Sequence, residues 1–501
     1  MERKGTGIPD LDLILGGGLP LGSLIFIAGG SGTGKTILAQ QMCFANATAG
    51  RKALYYTMVS EPHSKLVQHL EQFDFFEPAA VGERVDFIYL PAALPDMAQE
   101  ATPEERGVAL GTLVEEVVRA SAESERSVVV IDGIKALRDY AELNGFGFRG
   151  VAYDLASKVA HSNAVLIFVG EYTAAEVAYA PEFAVADGIL YLADETSGRF
   201  DQRWLRLLKM RGSDYLMGRH SFRISAAGIE VFPRFESLAP PRAQGTGGQV
   251  PLGIGGIDEM TGGGLPAASA TLVAGPSGSG KTVLGLHFIA EGIRRGERCL
   301  YLTLQQSAAQ LVQRGETFGW PFQEAVQSGL LQIRHLEPVE ISLDAIGAEL
   351  RRAAFSEERV QRVVVDSLAE LEPAARDTGR FPDYLSALTG LFASVGATTL
   401  MTSETTAFFG PAFQLPHGLA FVADNVILLR YVELESEVRR ALAIIKMRDG
   451  DHNRNIVEVE ISTGGLTVKG KFEGLTGVLG GTPQLTSQEK PLPLPLSGKE
   501  T

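Results

Sequence analysis

With 501 residues, 45% apolar and 21% charged, the chain has the composition of a soluble globular protein and is too long for one compact core. Its net charge of −15 argues against a protein built chiefly to wrap nucleic-acid phosphates, and two cysteines, Cys43 and Cys299, in separate halves supply neither a disulfide framework nor a zinc site. The opening segment lacks the apolar core of a secretion signal, and no apolar run approaches the ~18 residues a bilayer demands, which predicts a cytoplasmic protein with no membrane partner.

In chain order, residues 7–20 end in GGGLP, and an apolar run at 24–28 leads into GGSGTGKT at 29–36, behind which the pattern turns helical. Residues 53–58 read as a second strand. A helical stretch containing residues 114–118 precedes a strand at 127–131 that ends on Asp132. The next strand, 165–169, is followed by Glu171, and later come Asp187 and the triplet Lys209, Met210 and Arg211. Residues 237–249, SLAPPRAQGTGGQ, have linker composition.

The pattern then restarts. Residues 253–282 repeat residues 7–36 without a gap at an offset of 246, matching Gly7 to Gly253, Asp12 to Asp258 and Lys35 to Lys281. Strands follow at 271–274 and 299–304, a helix at 346–352, a strand at 362–365 ending on Asp366, and one at 398–402 leading to Glu404. Asp424 and the triplet Lys446, Met447 and Arg448 complete the copy. The expected organisation is two homologous domains, 1–235 and 250–479, a linker at 236–249, and a Pro-rich, disordered tail at 480–501. Short, nearly continuous apolar strands alternating with helices predict α/β domains, each a mainly parallel sheet flanked by helices.

Both Gly-rich segments satisfy G-x-x-x-x-G-K-[ST] between a strand and a helix. Gly29, Ser31, Gly32, Thr33 and Gly34, like Gly275, Ser277, Gly278, Ser279 and Gly280, form a loop whose backbone N–H groups curl around anionic oxygens, with a helix N-terminus behind. Lys35 and Lys281 are placed to reach the β- and γ-phosphates of ATP, and Thr36 and Thr282 to offer a hydroxyl to Mg²⁺. Asp132 and Asp366, each closing an apolar strand, are the acidic partners expected to accept a hydrogen bond from a magnesium-bound water.

The GGGLP segments, the strands ending in Asp and the Lys-Met-Arg triplets together resemble the KaiC family over nearly the whole chain apart from the tail. That resemblance implies RecA-like ATPase domains, double-ringed hexamers with nucleotide between neighbouring subunits, and a signalling partner that reads the assembly. It also implies that Lys209 and Arg211, and Lys446 and Arg448, reach the nucleotide of an adjacent protomer, where cations supplied across an interface stabilise phosphate charge.

The departures from the family define the functional expectation. A pair of glutamates commonly follows the second strand, one activating the attacking water. Here Val59 and Ser60 stand in the first domain, with Glu61 one residue later, and Gln305 and Gln306 in the second. Glutamine can orient a water but cannot keep its proton, and general-base assistance is worth ~10²–10⁴ in rate. ATP binding with slow or negligible hydrolysis is therefore expected in the second domain, while Glu61 is the one candidate base of the first. The circadian member phosphorylates adjacent Ser and Thr residues, where this chain has Ala420 and Phe421; clock-type autophosphorylation is not expected there. Thr402, Ser403, Thr405 and Thr406 read more simply as strand-end or turn residues.

Two other functions compete: an active serine/threonine kinase of the same family, and a RecA-like recombinase or helicase. The segments where DNA-binding loops would lie, 172–186 and 405–423, contain no Lys or Arg, although Phe408, Phe409 and Phe413 could stack bases.

Overall fold

The structure, a computed structural model, describes residues 2–48, 51–57, 63–89, 112, 114–119, 128–143, 147–197, 200–240, 247–336, 342–355, 359–375, 379–405, 419–448, 450–480 and 484–485. The chain divides into two units, Met1–Leu238 and Ala239–Thr501.

Aliphatic runs too short for helices become strands in each unit, and the helices between them carry the crossovers that parallel pairing requires. In the first unit the sheet strands are β1 (Leu24–Gly29), β2 (Ala53–Thr57), β3 (Val85–Tyr89), β4 (Val128–Asp132), β5 (Val165–Glu171), β6 (Gly188–Ser197), β7 (Phe200–Met210), β8 (His220–Ser225) and β9 (Gly228–Phe232). They form one nine-stranded sheet in the order β9-β8-β7-β6-β1-β5-β4-β2-β3. Pairing is parallel from β3 through β6 and antiparallel from β6 to β9. Helices α1 (Lys35–Asn46), α2 (Ile134–Leu143) and α3 (Phe148–Val159) belong to this unit. Every residue of β1 is buried, and apolar clusters lie on both faces of the sheet, which is why β1 reads as a continuous apolar run.

The second unit repeats the design with β10 (Ala270–Gly275), β11 (Cys299–Thr303), β12 (Leu331–His335), β13 (Arg362–Asp366), β14 (Thr398–Glu404), β15 (Asn425–Leu434), β16 (Glu437–Lys446), β17 (Val457–Ser462) and β18 (Gly465–Lys471). Their order is β12-β11-β13-β14-β10-β15-β16-β17-β18. Helices α4 (Lys281–Arg294), α5 (Ala308–Thr317), α6 (Leu368–Leu371) and α7 (Phe381–Ser394) belong here. The expected α/β class, two mainly parallel sheets flanked by helices, is what the chain adopts.

Register decides what meets at the carboxyl edge of each sheet. Gly29 sits opposite Glu171 and Thr57 opposite Asp132; Gly275 sits opposite Glu404 and Thr303 opposite Asp366. The loop following each central strand therefore shares one edge with two carboxylates, the edge where open α/β sheets place their ligands.

Local details differ from the reading by composition. Gln249, in the expected linker, pairs with Pro266 in a two-stranded ribbon. In the expected tail, Gln484–Leu485 pair with Leu475–Thr476, while residues 486–501 lie outside the described residues.

The duplication extends to how the helix behind each loop grips the far hairpin. On α1, Gln41 Oε1 accepts the Ile229 N–H at 2.8 Å. On α4, His287 Nε2 accepts the Leu466 N–H at 2.7 Å. Burial pushes the His287 imidazole down from 6.5 to about 4. The folded state thus binds fewer protons than the unfolded one, so this contribution is present above pH ~6.5 and lost as pH falls toward the folded value, amounting to about 3 kcal/mol. Trp320, whose ring lies 4.6 Å from His287, reports on this region. Its denaturation midpoint is expected to drop between pH 7 and pH 4.5. His287→Gln, which copies the first unit, is expected to flatten that drop; an equal acid loss in both proteins would refute the assignment.

Candidate functional site

Each central strand ends at a glycine, and the chain turns through the Gly-rich loop into α1 or α4. The turn requires left-handed backbone immediately before the lysine: φ is +94° at Gly34 and +110° at Gly280. Only glycine adopts this without strain, and a Cβ at Gly34 would lie 2.8 Å from Ile224.

Both lysines fold into their loops. Lys35 Nζ donates to the Gly30 carbonyl at 2.5 Å, and Lys281 Nζ to the Gly275 and Pro276 carbonyls at 2.9 and 2.8 Å. They are 6% and 9% exposed, and burial lowers both ammonium pKa values against the pull of nearby carboxylates, Glu171 and Asp132 in one unit and Glu404, Asp366 and Glu370 in the other. A buried cation within reach of backbone carbonyls favours an incoming anion. Thr33 and Ser279 are fully buried; the Thr33 hydroxyl donates to the Gly30 carbonyl at 2.9 Å and braces the loop from behind.

Asp132 collects the expected Thr36 and one unforeseen donor. The Thr36 hydroxyl donates to Asp132 Oδ2 at 2.9 Å and the Tyr55 phenol to the same oxygen at 2.5 Å. Burial raises the Asp132 pKa, opposed by those two hydrogen bonds and by Lys35. In the second unit Tyr301 donates to Asp366 Oδ2 at 2.7 Å, and Thr402 donates to the other carboxylate oxygen. Burial also holds both phenols well above their usual range, so they remain donors.

Around these groups lie cavities of about 700 Å³ and 440 Å³, within the span of small-ligand sites. The first is lined by Ser31, Gly32, Gly34, Lys35, Thr36, Asp132 and Glu171, together with Lys135 of α2. The second is lined by Ser277, Gly278, Gly280, Lys281, Thr282, Gln305, Gln306, Asp366 and Glu404, together with Arg314 of α5 and Arg440 of β16. Gly29 and Gly275 close the strands that deliver the loops.

The donor set fits a nucleoside triphosphate carrying Mg²⁺. It offers an inward lysine, open backbone glycines and, in the first unit, a hydroxyl–carboxylate pair of the kind that magnesium uses while keeping most of its waters.

Among the described residues, the Lys-Met-Arg cations do not line the cavity of their own unit. Lys209 Nζ donates to the Ala184 carbonyl at 3.2 Å, and Arg211 pairs with Asp187 at 3.5 Å. Lys446 Nζ donates to the Ala423 carbonyl at 2.7 Å, and Arg448 pairs with Asp424 at 3.3 Å. Arg211 and Arg448 remain 59% and 61% exposed. Glu61, with Val59 and Ser60, lies outside the described residues, as do Thr406, Phe408, Phe409 and Phe413.

Gln305 is held by α6. Its Nε2 donates to Glu370 Oε1, and Ser367 donates its hydroxyl to Glu370 Oε2. Gln306 uses its backbone: its N–H donates to Thr303 Oγ1 at 3.1 Å, and its carbonyl accepts the Thr303 hydroxyl at 2.9 Å.

Sequence reasoning missed Tyr55, Tyr301, Lys135, Arg314, Arg440 and Glu370. The tyrosines left a signal, the same polar-tipped residue at equivalent positions of two otherwise apolar strands. The others come from separate elements and left none.

A family model described as "ATPase: KaiC" matches residues 4–236 and 250–473. Among known proteins, the circadian clock oscillator protein KaiC of Parathermosynechococcus lividus is 28% identical over 496 residues, covering 96% of this chain and 88% of that protein. The circadian clock protein KaiC3 of Synechocystis is 29% identical over 504 residues, covering 98% and 96% respectively.

Proposed function

The chain belongs to the KaiC ATPase family, and from that premise we propose that it is an ATP-binding signalling protein whose two cradles hold ATP·Mg²⁺ to govern assembly rather than to turn ATP over quickly. The observation that supports this reading most is the meeting, in each half, of a lysine folded into a Gly-rich loop with an aspartate that ends the strand next but one in the same sheet.

Lys35 and Lys281 bind the terminal phosphates, and the loop N–H groups hold the rest of the chain of phosphates. Thr36 and Asp132, and Thr282 and Asp366, hold Mg²⁺, which when bound neutralises phosphate charge. Tyr55 and Tyr301 fix the carboxylates. Lys209, Arg211, Lys446 and Arg448 act on the nucleotide of a neighbouring copy in a homo-oligomeric ring, a hexamer by family likeness, where Arg211 and Arg448, more than half exposed, exchange their aspartate partners for phosphate. The domains run over 1–235 and 250–479, and the protein works in the cytoplasm; among the described residues no helix is long and apolar enough to cross a membrane.

Hydrolysis is weak because neither half carries a glutamate pair after its second strand. Clock-type autophosphorylation is absent because Ala420 and Phe421 bear no hydroxyl. Light scattering with and without ATP·Mg²⁺ tests the assembly: nucleotide-dependent growth to a ring is expected, and a monomer under both conditions refutes it. Incubation with γ-labelled ATP is expected to leave the protein unlabelled. Incorporated phosphate would establish the kinase reading instead.

A further inference from the structure

The second cradle contains an arrangement that the first lacks. Gln305 lines the cavity beside Lys281 and Asp366, and its side chain is gripped from outside by Glu370 of α6, which is gripped in turn by Ser367. Aligning Asp132 on Asp366 places Gly133 and Ala136 where the second unit has Ser367 and Glu370, and Val59 where it has Gln305. All three members of the chain of contacts are thus present in one half and missing from the other.

The chemistry of the contact fixes the glutamine's direction. An ionised carboxylate only accepts hydrogen bonds, so the donor end of the Gln305 amide must face Glu370. The carbonyl oxygen is left as the end that can serve the cavity. Ser367, 4% exposed, occupies the second carboxylate oxygen and restrains the Glu370 side chain. Lys281 also feels the Glu370 charge, after those of Glu404 and Asp366.

We propose that Glu370 is a positioning residue of the second site, holding Gln305 so that its carbonyl oxygen accepts a hydrogen bond from the water that attacks the terminal phosphate. This rests on nucleotide occupying the second cradle. In the step, the water oxygen bonds to phosphorus as the phosphorus–bridging-oxygen bond breaks, and ADP leaves with that electron pair. The water's proton passes to an oxygen of the transferred phosphoryl group, because an amide cannot keep it. Gln305 contributes orientation alone, which keeps turnover slow but directed.

The test uses the full chain carrying Lys35→Ala, so that only the second cradle turns over, with mant-ATP affinity and steady-state hydrolysis measured together. Glu370→Ala is expected to lower kcat ~10-fold while leaving mant-ATP affinity within ~2-fold, and Glu370→Asp to recover part of the loss. The double exchange Gln305→Glu with Glu370→Gln keeps a donor–acceptor pair but puts the carboxylate on the cavity side. It is expected to raise turnover ~10²-fold and to add an acid limb to the pH profile, as a new proton acceptor must. Unchanged kcat in Glu370→Ala, or no gain in the double exchange with mant-ATP still bound, overturns the proposal. If parental turnover lies below detection, the double exchange decides alone. Failure of the Lys35→Ala chain to bind mant-ATP refutes the second cradle itself, and the affinity measurement tells that failure from the first.

Discussion

Replacing Lys281 or Lys35 with Ala is expected to remove one nucleotide site each, and replacing both to abolish ATP binding. In a calorimetric titration with ATP·Mg²⁺ the unaltered chain should bind two nucleotides, each single variant one, and the double variant none. The effect is large because each ammonium is almost wholly buried among loop carbonyls and lines the cavity beside its Gly-rich loop. A charge-assisted hydrogen bond lost from a desolvated site, with the anion left uncompensated, costs ~3 kcal/mol or more, a loss of at least ~100-fold in affinity. The nucleotide-free variants should keep their fold, since shortening a buried lysine also removes the cost of desolvating its charge. Unaltered stoichiometry in the single variants would refute both cradles. Loss at only one would show that the duplication has diverged in function as well as in sequence.

Gly465→Ala is expected to be among the most damaging small substitutions in the second unit. The residue has φ of +96°, and an added Cβ would lie 2.2 Å from His287 Nε2. The substitution thus meets left-handed strain and a clash, and it displaces the imidazole from the Leu466 N–H it accepts. Together these cost ~3–5 kcal/mol. Gly228, the counterpart, also has a left-handed φ, +95°, and its Cβ would meet Gln41 Oε1 at 2.7 Å and Phe75 Cδ1 at 2.8 Å, neither contact as close as that at Gly465 and the nearer one the tip of a more flexible side chain. Gly228→Ala should therefore cost less, ~2–3 kcal/mol. The chain's two tryptophans separate the measurements, because Trp204 belongs to the first unit and Trp320 to the second. Urea titrations of Trp204→Phe and Trp320→Phe backgrounds would resolve each unit. A cost below ~1 kcal/mol for Gly465→Ala would show that α4 does not anchor the terminal hairpin.

Much of the carboxyl edge of each sheet could be read in advance because its components are contiguous. Gly34, Lys35 and Thr36 are neighbours whose order follows from turn geometry and helix capping, and Asp132 closes a strand whose apolar run is itself the signal. Glu171 and Glu404 could also be placed at strand tips, and the register puts them opposite Gly29 and Gly275. What could not be read was which side chains from distant elements converge. Thr36 bonds to Asp132 in one unit, whereas Thr402, from β14, does so to Asp366 in the other. The two loops share six of eight residues, yet nothing in them foretells that difference. Likewise, the exchange of a glutamate pair for Gln305 and Gln306 suggested only a missing base. That Glu370 stands behind Gln305 depends on how α6 leaves β13.

The sequence by itself determined the duplication, the α/β class, both Gly-rich loops and the acidic strand ends, because repeats, apolar periodicity and glycine-dependent turns are written over short spans of chain. The tertiary structure alone decided the Tyr55–Asp132 and Tyr301–Asp366 contacts, the arrival of Arg314 and Arg440 at the second cavity, and the grip of Glu370 on Gln305. Those meetings are set by strand order, register and side-chain direction, which bring together residues separated by tens of positions and leave no periodic trace along the chain.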